Sequence, residues 1–289
     1  MLSLLLKPFA YLPLRALHSL GAALGGLLFY CMPHAKKMAI ANIKQSQLVS
    51  SKAEVDEIAR QSFVSLGKAM LETPAIWQKK ESELLPMVKH VHGWELAKDA
   101  LALGKGIIFL TPHLGCFEIT SIYYGSKHAT TILYRPPKLK WLQSLMNAGR
   151  ARTGVTLAEA NAGGVRKLMQ ALKRGEAIGI LPDQIPKAGE GEWADFFSKP
   201  AYTMSLASKL AEKTGATVIM AFGERLENGA GYAIHLKKID SIATPALLNK
   251  AIEAQIAQKP GQYLWSYNRY KVRNHALKKQ VTEVPTASE

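Results

Sequence analysis

Within a chain of 289 residues, the pair best suited to acid–base chemistry is His113 and Glu118, in the segment Thr111-Pro112-His113-Leu114-Gly115-Cys116-Phe117-Glu118. A carboxylate that holds one imidazole nitrogen raises the basicity of the ring. The other nitrogen can then take a proton from a substrate hydroxyl. That is triad logic with the nucleophile supplied by an acceptor molecule rather than by the protein. The spacing sets a condition. Residues five apart in a regular helix differ by about 140° around the axis, so His113 must lie in an irregular turn if its ring is to fold back onto Glu118. A plainer reading stands beside this one, because a glutamate in a first helical turn favours the helix dipole with no help from a histidine. Cys116 invites a covalent acyl-enzyme, since a thiolate beside His113 would be nucleophilic. It is equally placed to point along a helix into the core, and direct transfer is the favoured expectation.

These residues need a scaffold that brings them to one edge. The apolar run Gly106–Thr111 reads as a strand, and Pro112, which cannot donate to a ladder, should end it. Gly115 suits a tight turn into a helix over Cys116–Tyr124. His113 then sits at the carboxyl end of a strand, where open α/β sheets place their ligands. Further strands are expected at Thr130–Tyr134, Ala177–Leu181, Ala216–Phe222 and Tyr232–Lys238. Helices are expected at Ala53–Glu72, Lys140–Thr153, Gly164–Arg174, Thr203–Thr214 and Pro245–Gln258. Such alternation implies crossover connections and an α/β fold with a mostly parallel sheet covered by helices.

Three arginines and an aspartate are candidates at the same edge. Arg135 follows a strand beside Pro136 and Pro137, and its guanidinium could grip a phosphate in bidentate fashion or form a structural ion pair. Arg150 and Arg152 lie on or just after a helix, where a solvated face competes with phosphate contact. Asp183 ends a strand in Leu181-Pro182-Asp183-Gln184 and could position the acceptor or pair with an arginine. His92, His128 and His235 show no partner spacing and read as surface or core histidines. Trp265 and Tyr267 could stack on nucleic acid beside their basic neighbours, but core packing is the simpler reading.

The N-terminal region is apolar from Ala16 to Pro33, bounded by Arg15 and by His34, Lys36 and Lys37. Eighteen residues span roughly 27 Å, just enough for a hydrocarbon core. Gly21, Gly25 and Gly26 are tolerable in lipid and poor choices in a soluble helix. A retained membrane anchor over residues 1–37 is therefore expected; a buried or interfacial amphipathic helix and a cleaved signal peptide are the alternatives. The flank Lys36, Lys37 and Lys44 keeps the main domain, residues 38–275, in the cytoplasm by the positive-inside rule. Residues 276–289 form a polar tail. The formal net charge of +15 favours anionic partners, whether nucleic acid, anionic lipid or an acidic carrier protein. Two cysteines, Cys31 and Cys116, make neither a disulfide framework nor a zinc site.

Pro112-His113-Leu114-Gly115-Cys116-Phe117-Glu118 resembles the first motif of the glycerolipid/lysophospholipid acyltransferase superfamily, and within it the lipid A late (secondary) acyltransferases. The similarity runs on in order through Tyr134-Arg135-Pro136, Gly149-Arg150-Ala151-Arg152, Gly175-Glu176 and Leu181-Pro182-Asp183-Gln184. It ends near Pro260–Trp265 and the basic run Arg269–Arg273, and so covers nearly the whole chain. The resemblance implies a His113–Glu118 general-base mechanism, with Arg135, Arg150, Arg152 and Asp183 as substrate-binding residues. Many superfamily members carry Asp at the position of Glu118, and the lipid A branch commonly carries Glu. Transfer of a laurate- or myristate-class acyl chain is implied, from acyl-acyl carrier protein to a hydroxyacyl chain of a phosphorylated Kdo-lipid A precursor. No metal or cofactor is implied, nor any nucleic acid; the partners are the carrier protein, an anionic glycolipid and inner-membrane lipids, with the catalytic domain on the cytoplasmic side. A related acyltransferase acting on another anionic membrane lipid is the alternative.

Overall fold

The computed structural model describes residues 6–137, 139–152 and 154–271. After a single helical turn at Lys7–Tyr11, three helices follow: α1 (Leu14–Cys31), α2 (Pro33–Ser46) and α3 (Lys52–Gln78). Strands and helices then alternate as β1 (Val88–His92), α4 (Trp94–Ala102), β2 (Ile107–Leu110), α5 (Phe117–Gly125), β3 (Thr130–Tyr134), α6 (Lys140–Arg150), β4 (Val155–Glu159), α7 (Ala162–Lys173) and β5 (Ala177–Ile180). A hairpin of β6 (Gly191–Phe196) and β7 (Lys199–Met204) intervenes. The chain continues with α8 (Leu206–Thr214), β8 (Thr217–Arg225), β9 (Tyr232–Ile239) and α9 (Pro245–Ile256).

Seven strands form one sheet in the order β1-β9-β8-β2-β5-β3-β4. β8, β2, β5, β3 and β4 are parallel, β9 is antiparallel to β8, and β1 pairs parallel with β9. This is the expected α/β fold. The unbroken apolar run of β2 is buried at every residue, as a central parallel strand covered on both faces requires. Its Ile108 and Leu110 pack into the larger core with Phe63, Leu168 and Leu248, while Ile107 and Phe109 face the α4–α5 side with Ala97 and Tyr124.

The sequence reading lacked β1, β4 and the β6–β7 hairpin. The hairpin takes Thr203 and Met204, which were expected in a helix, so α8 starts only at Leu206. Conversely, α3 outruns its expected end at Glu72 and continues past Pro74 to Gln78. Its start is fixed by a capping box, with the Ser51 hydroxyl accepting from the Glu54 N–H. The expected tail, residues 276–289, lies outside the described residues.

α1 is long and apolar enough to cross a membrane, and it is docked along α3. Leu14, Leu17, His18, Gly21, Gly25 and Phe29 form its buried stripe. The backbones approach so closely that a Cβ on Gly67 would lie 2.1 Å from the Gly21 carbonyl oxygen. Two of the glycines that suggested lipid, Gly21 and Gly25, thus serve helix packing here. A buried polar cluster locks the contact. Glu72 on α3, fully buried, accepts from His18 Nε2 at 2.7 Å, from Arg225 Nε at 2.7 Å and from the Tyr232 hydroxyl at 3.1 Å. The opposite stripe of α1, with Leu20, Leu27 and Tyr30, is exposed.

Candidate active site

β2 and β5 are adjacent parallel strands with Leu110 opposite Ile180. The ladder gains one more bond, from the Thr111 N–H to the Ile180 carbonyl at 3.0 Å. Pro112 and Pro182 then end both strands at the same level, because neither can donate. The next residue on each side is His113 and Asp183, and the shared register puts them together. His113 Nδ1 lies 2.8 Å from Asp183 Oδ1, and the His113 backbone N–H donates to Oδ2 at 2.9 Å.

Asp183 is 2% exposed. Burial pushes its carboxyl up, but the neighbouring imidazole, its hydrogen bond and the His113 N–H outweigh this and hold the group below the usual carboxylate range. An ionised carboxylate only accepts hydrogen bonds, so Nδ1 of His113 carries a proton towards Asp183, and Nε2 is the nitrogen turned to the cavity. The Gln184 side-chain nitrogen lies 3.2 Å from that Nε2.

The turn holding His113 is itself clamped. Gly115 has φ +59°, and a Cβ there would lie 2.2 Å from the Gly223 carbonyl oxygen. Gly115 donates to Gln262 O at 3.1 Å, Cys116 to Gly223 O at 2.7 Å, and Leu264 to His113 O at 3.2 Å. The Pro260–Trp265 segment is therefore the structural brace of the His113 turn. Trp265 is a core residue, as the simpler sequence reading expected, with its indole N–H on Pro260 O at 2.8 Å.

Glu118 is not the partner of His113. It sits in the first turn of α5, 3% exposed, and Arg150 Nε lies 3.0 and 2.9 Å from its two oxygens, with Nη2 also on Oε1. The expected His113–Glu118 hydrogen bond is thus replaced by His113–Asp183 and Glu118–Arg150. The physical reason lies in the turn: Gly115 and Cys116 are pinned to β8, so α5 leaves with Glu118 facing α6 while the His113 ring faces β5. Arg150, expected to grip substrate phosphate, instead ties α6 to α5. Burial lowers its pKa, but Glu118 raises it more, and it stays a cation beneath Trp77, 5.6 Å from the ring centroid.

Arg152 is likewise committed to structure. Its Nε donates to Gly149 O in α6 at 2.5 Å, and its Nη1 and Nη2 to Lys79 O at 2.7 Å and Ile76 O at 2.6 Å, satisfying carbonyls at the end of α3. Arg135, just past β3, keeps its position at the sheet edge and is exposed; among the described residues its guanidinium makes one hydrogen bond, a long one of 3.5 Å to Ile185 O. Cys116 is 2% exposed, and burial drives its thiol well above the ordinary value, with Glu72 and Glu118 adding to the effect. Both the burial and the raised thiol disfavour the thiolate that a covalent acyl-enzyme at Cys116 would need.

His113 and Gln184 open onto a cavity of about 760 Å³. Trp77, Phe117, Leu142, Met146, Val165 and Met204 give it apolar walls, and Arg135 and Lys209 add cations. Such a space suits an apolar chain with a few oriented polar groups. Trp77 and Gln184 were not singled out from sequence. For Gln184 a signal existed: two strand ends of the form X-Pro-polar, which bring the next residues to one place only if the strands are neighbours.

Known proteins resemble this chain over most of its length. A family model described as bacterial lipid A biosynthesis acyltransferase matches residues 2–272. The chain is similar to the lipid A biosynthesis lauroyltransferase of Escherichia coli (strain K12), 26% identical over 273 residues, covering 91% of this chain and 87% of the relative. It is similar to the lipid A biosynthesis palmitoleoyltransferase of the same organism, 26% identical over 269 residues with the same coverage, 91% and 87%. The lipid A biosynthesis myristoyltransferase of that strain is 21% identical over 249 residues, covering 83% of this chain and 76% of the relative.

Proposed function

The chain belongs to the bacterial lipid A biosynthesis acyltransferase family and is an acyltransferase; on that premise we propose that it moves a fatty acyl chain from acyl-acyl carrier protein to a hydroxyacyl chain of a phosphorylated Kdo-lipid A precursor. The observation that carries the reading is His113, its Nδ1 2.8 Å from Asp183 Oδ1, at the mouth of an apolar cavity.

In this reaction the acceptor hydroxyl gives its proton to His113 Nε2 as its oxygen attacks the thioester carbon. Asp183 fixes the tautomer and stabilises the imidazolium as it forms. The tetrahedral intermediate collapses, the C–S bond breaks, and the leaving thiolate recovers the proton from Nε2. One C–O bond replaces one C–S bond, and the route requires no metal or cofactor. The apolar walls take a laurate- or myristate-class chain, and Arg135 receives a phosphate of the acceptor. Anionic carrier and anionic glycolipid both suit a chain of net charge +15. The exposed stripe Leu20, Leu27 and Tyr30 of α1, with exposed Lys37 beyond it, supports attachment to the inner membrane with the catalytic domain on the cytoplasmic side.

The test is transfer by the purified protein with acyl carrier protein as donor, followed by mass spectrometry of the lipid. His113→Ala should lose at least about 10²-fold in rate. Full transfer by His113→Ala would exclude the mechanism.

A further inference from the structure

We propose that Gln184 is a two-stage hydrogen-bond donor: its side-chain amide caps His113 Nε2 in the free protein and stabilises the carbonyl oxygen of the acyl thioester during transfer. The inference rests on the acyl-transfer reading of the His113 site.

The first stage follows from the chemistry of the neighbours. Asp183 accepts from both His113 Nδ1 and the His113 backbone N–H. In the neutral ring that can act as a base, with its proton on Nδ1, Nε2 offers only a lone pair. The group 3.2 Å away must therefore be the Gln184 NH₂, because its carbonyl oxygen would face the lone pair repulsively. Peptide connectivity couples the two contacts: consecutive residues 183 and 184 hold the two nitrogens of one ring.

The second stage follows from what a substrate must do. The acceptor hydroxyl needs the same lone pair to be activated, so it displaces the amide. A donor released there remains next to the attacking oxygen, one C–O bond length from the carbon whose carbonyl becomes an oxyanion. Transition-state stabilisation needs a donor about 2.7–3.1 Å from that oxygen. Of the cations lining the cavity, Arg150 is committed, with Nε and Nη2 on Glu118 and Nη1 on Met146 Sδ, and Arg135 is assigned to the acceptor phosphate. Ile185, the next residue, has its N–H on the Tyr267 hydroxyl at 3.0 Å. Gln184, half-buried and lining the cavity, has no hydrogen bond besides that to His113 among the described residues. The amide can leave the ring without breaking anything else.

A hydrogen-bond donor competes with a proton for an imidazole lone pair, so its removal is expected to show in the pH dependence of transfer. The charges that also set it are fixed by the fold: Asp183, with Tyr263 and Arg269 behind it, and across the cavity Arg135 and the Glu118–Arg150 pair. Glu190 and Lys209 line the same space. A change confined to residue 184 leaves all of these in place.

The experiment compares wild type with Gln184→Leu and Gln184→Glu, using full-length protein, acyl carrier protein as donor and a phosphorylated lipid A precursor. Expected for Gln184→Leu is a kcat lower by about 10²-fold or more, with KM for both substrates within about threefold. Its kcat/KM profile should have the acidic limb displaced to higher pH. Gln184→Glu, which sets a carboxylate against His113, should move that limb further in the same direction. A Gln184→Leu protein that melts like wild type yet keeps kcat within about threefold, or keeps the acidic limb in place, overturns the proposal. If Gln184→Leu does not fold, the displacement in Gln184→Glu decides alone. His113→Ala, assayed alongside, separates the two readings: its inactivity with an unaffected Gln184→Leu defeats only the role of Gln184, whereas its full activity defeats the site.

Discussion

Both nitrogens of His113 are engaged by consecutive residues of the loop after β5, and Glu118 is engaged elsewhere. The sequence made His113 and Glu118 conspicuous because they are close along the chain, and the helical geometry already warned that five residues is an awkward separation. Asp183, seventy residues on, was legible as a strand-end residue but not as the partner, because no strand states which strand will lie beside it. The arginines divide on the same ground. Arg150 and Arg152 stand in one motif, yet both are consumed by internal acceptors, while Arg135 keeps its guanidinium exposed. Arg135→Ala should therefore raise KM for the phosphorylated acceptor by about 10–100-fold, the worth of a charged hydrogen bond of roughly 1.5–3 kcal/mol, with KM for the donor unchanged. Arg152→Gln should leave both KM values alone and lower the melting temperature, by about 2–4 °C per kcal/mol lost. Steady-state kinetics and a thermal melt separate the two.

At the scale of elements, periodicity located most of the fold. The 3.6-residue pattern found α3 and α5–α9, and apolar runs found β2, β3, β5, β8 and β9, each within a few residues. β1 and β4 escaped because half-exposed edge strands carry mixed patterns. α1 was legible as apolar and glycine-rich, but not as the docked partner of α3, since glycine serves close helix approach in water and lipid alike. His18, an isolated polar residue in that apolar run, was the available clue, and it meets Glu72. Burial pushes the Glu72 carboxyl up, yet Arg225 and His18 outweigh it and bring the group down to about 2. Its unfolded value is about 4.3. The folded value is the lower, so the stabilisation is present above about pH 4.3 and fades as pH falls towards 2. Glu72→Gln leaves Arg225 buried without its counter-charge and should cost about 3–5 kcal/mol near neutral pH. Denaturant unfolding of both proteins as a function of pH should show that gap narrowing in acid; a gap independent of pH would contradict the linkage.

The whole molecule supplies what neither residue nor element contains. Strand order places β5 beside β2, the shared register carries His113 and Asp183 to one height, and the helices over that edge enclose an apolar cavity. Fold class was legible from alternation alone, and so was the placing of His113, Arg135 and Asp183 at the carboxyl edge of the sheet. The pairing within the site was not, because it depends on three-dimensional neighbours. The most direct measurement is a double-mutant cycle on kcat for His113 with each carboxylate. Residues that act as one unit are strongly non-additive. Asp183→Asn alone should lower kcat by about 10²–10⁴-fold, and His113→Ala/Asp183→Asn should be no slower than His113→Ala. Glu118→Gln, acting through Arg150 and the cavity wall, should add its own loss to that of His113→Ala. Near-normal kcat in Asp183→Asn, together with non-additivity between His113 and Glu118, would contradict the assignment of Asp183 as the partner of the base.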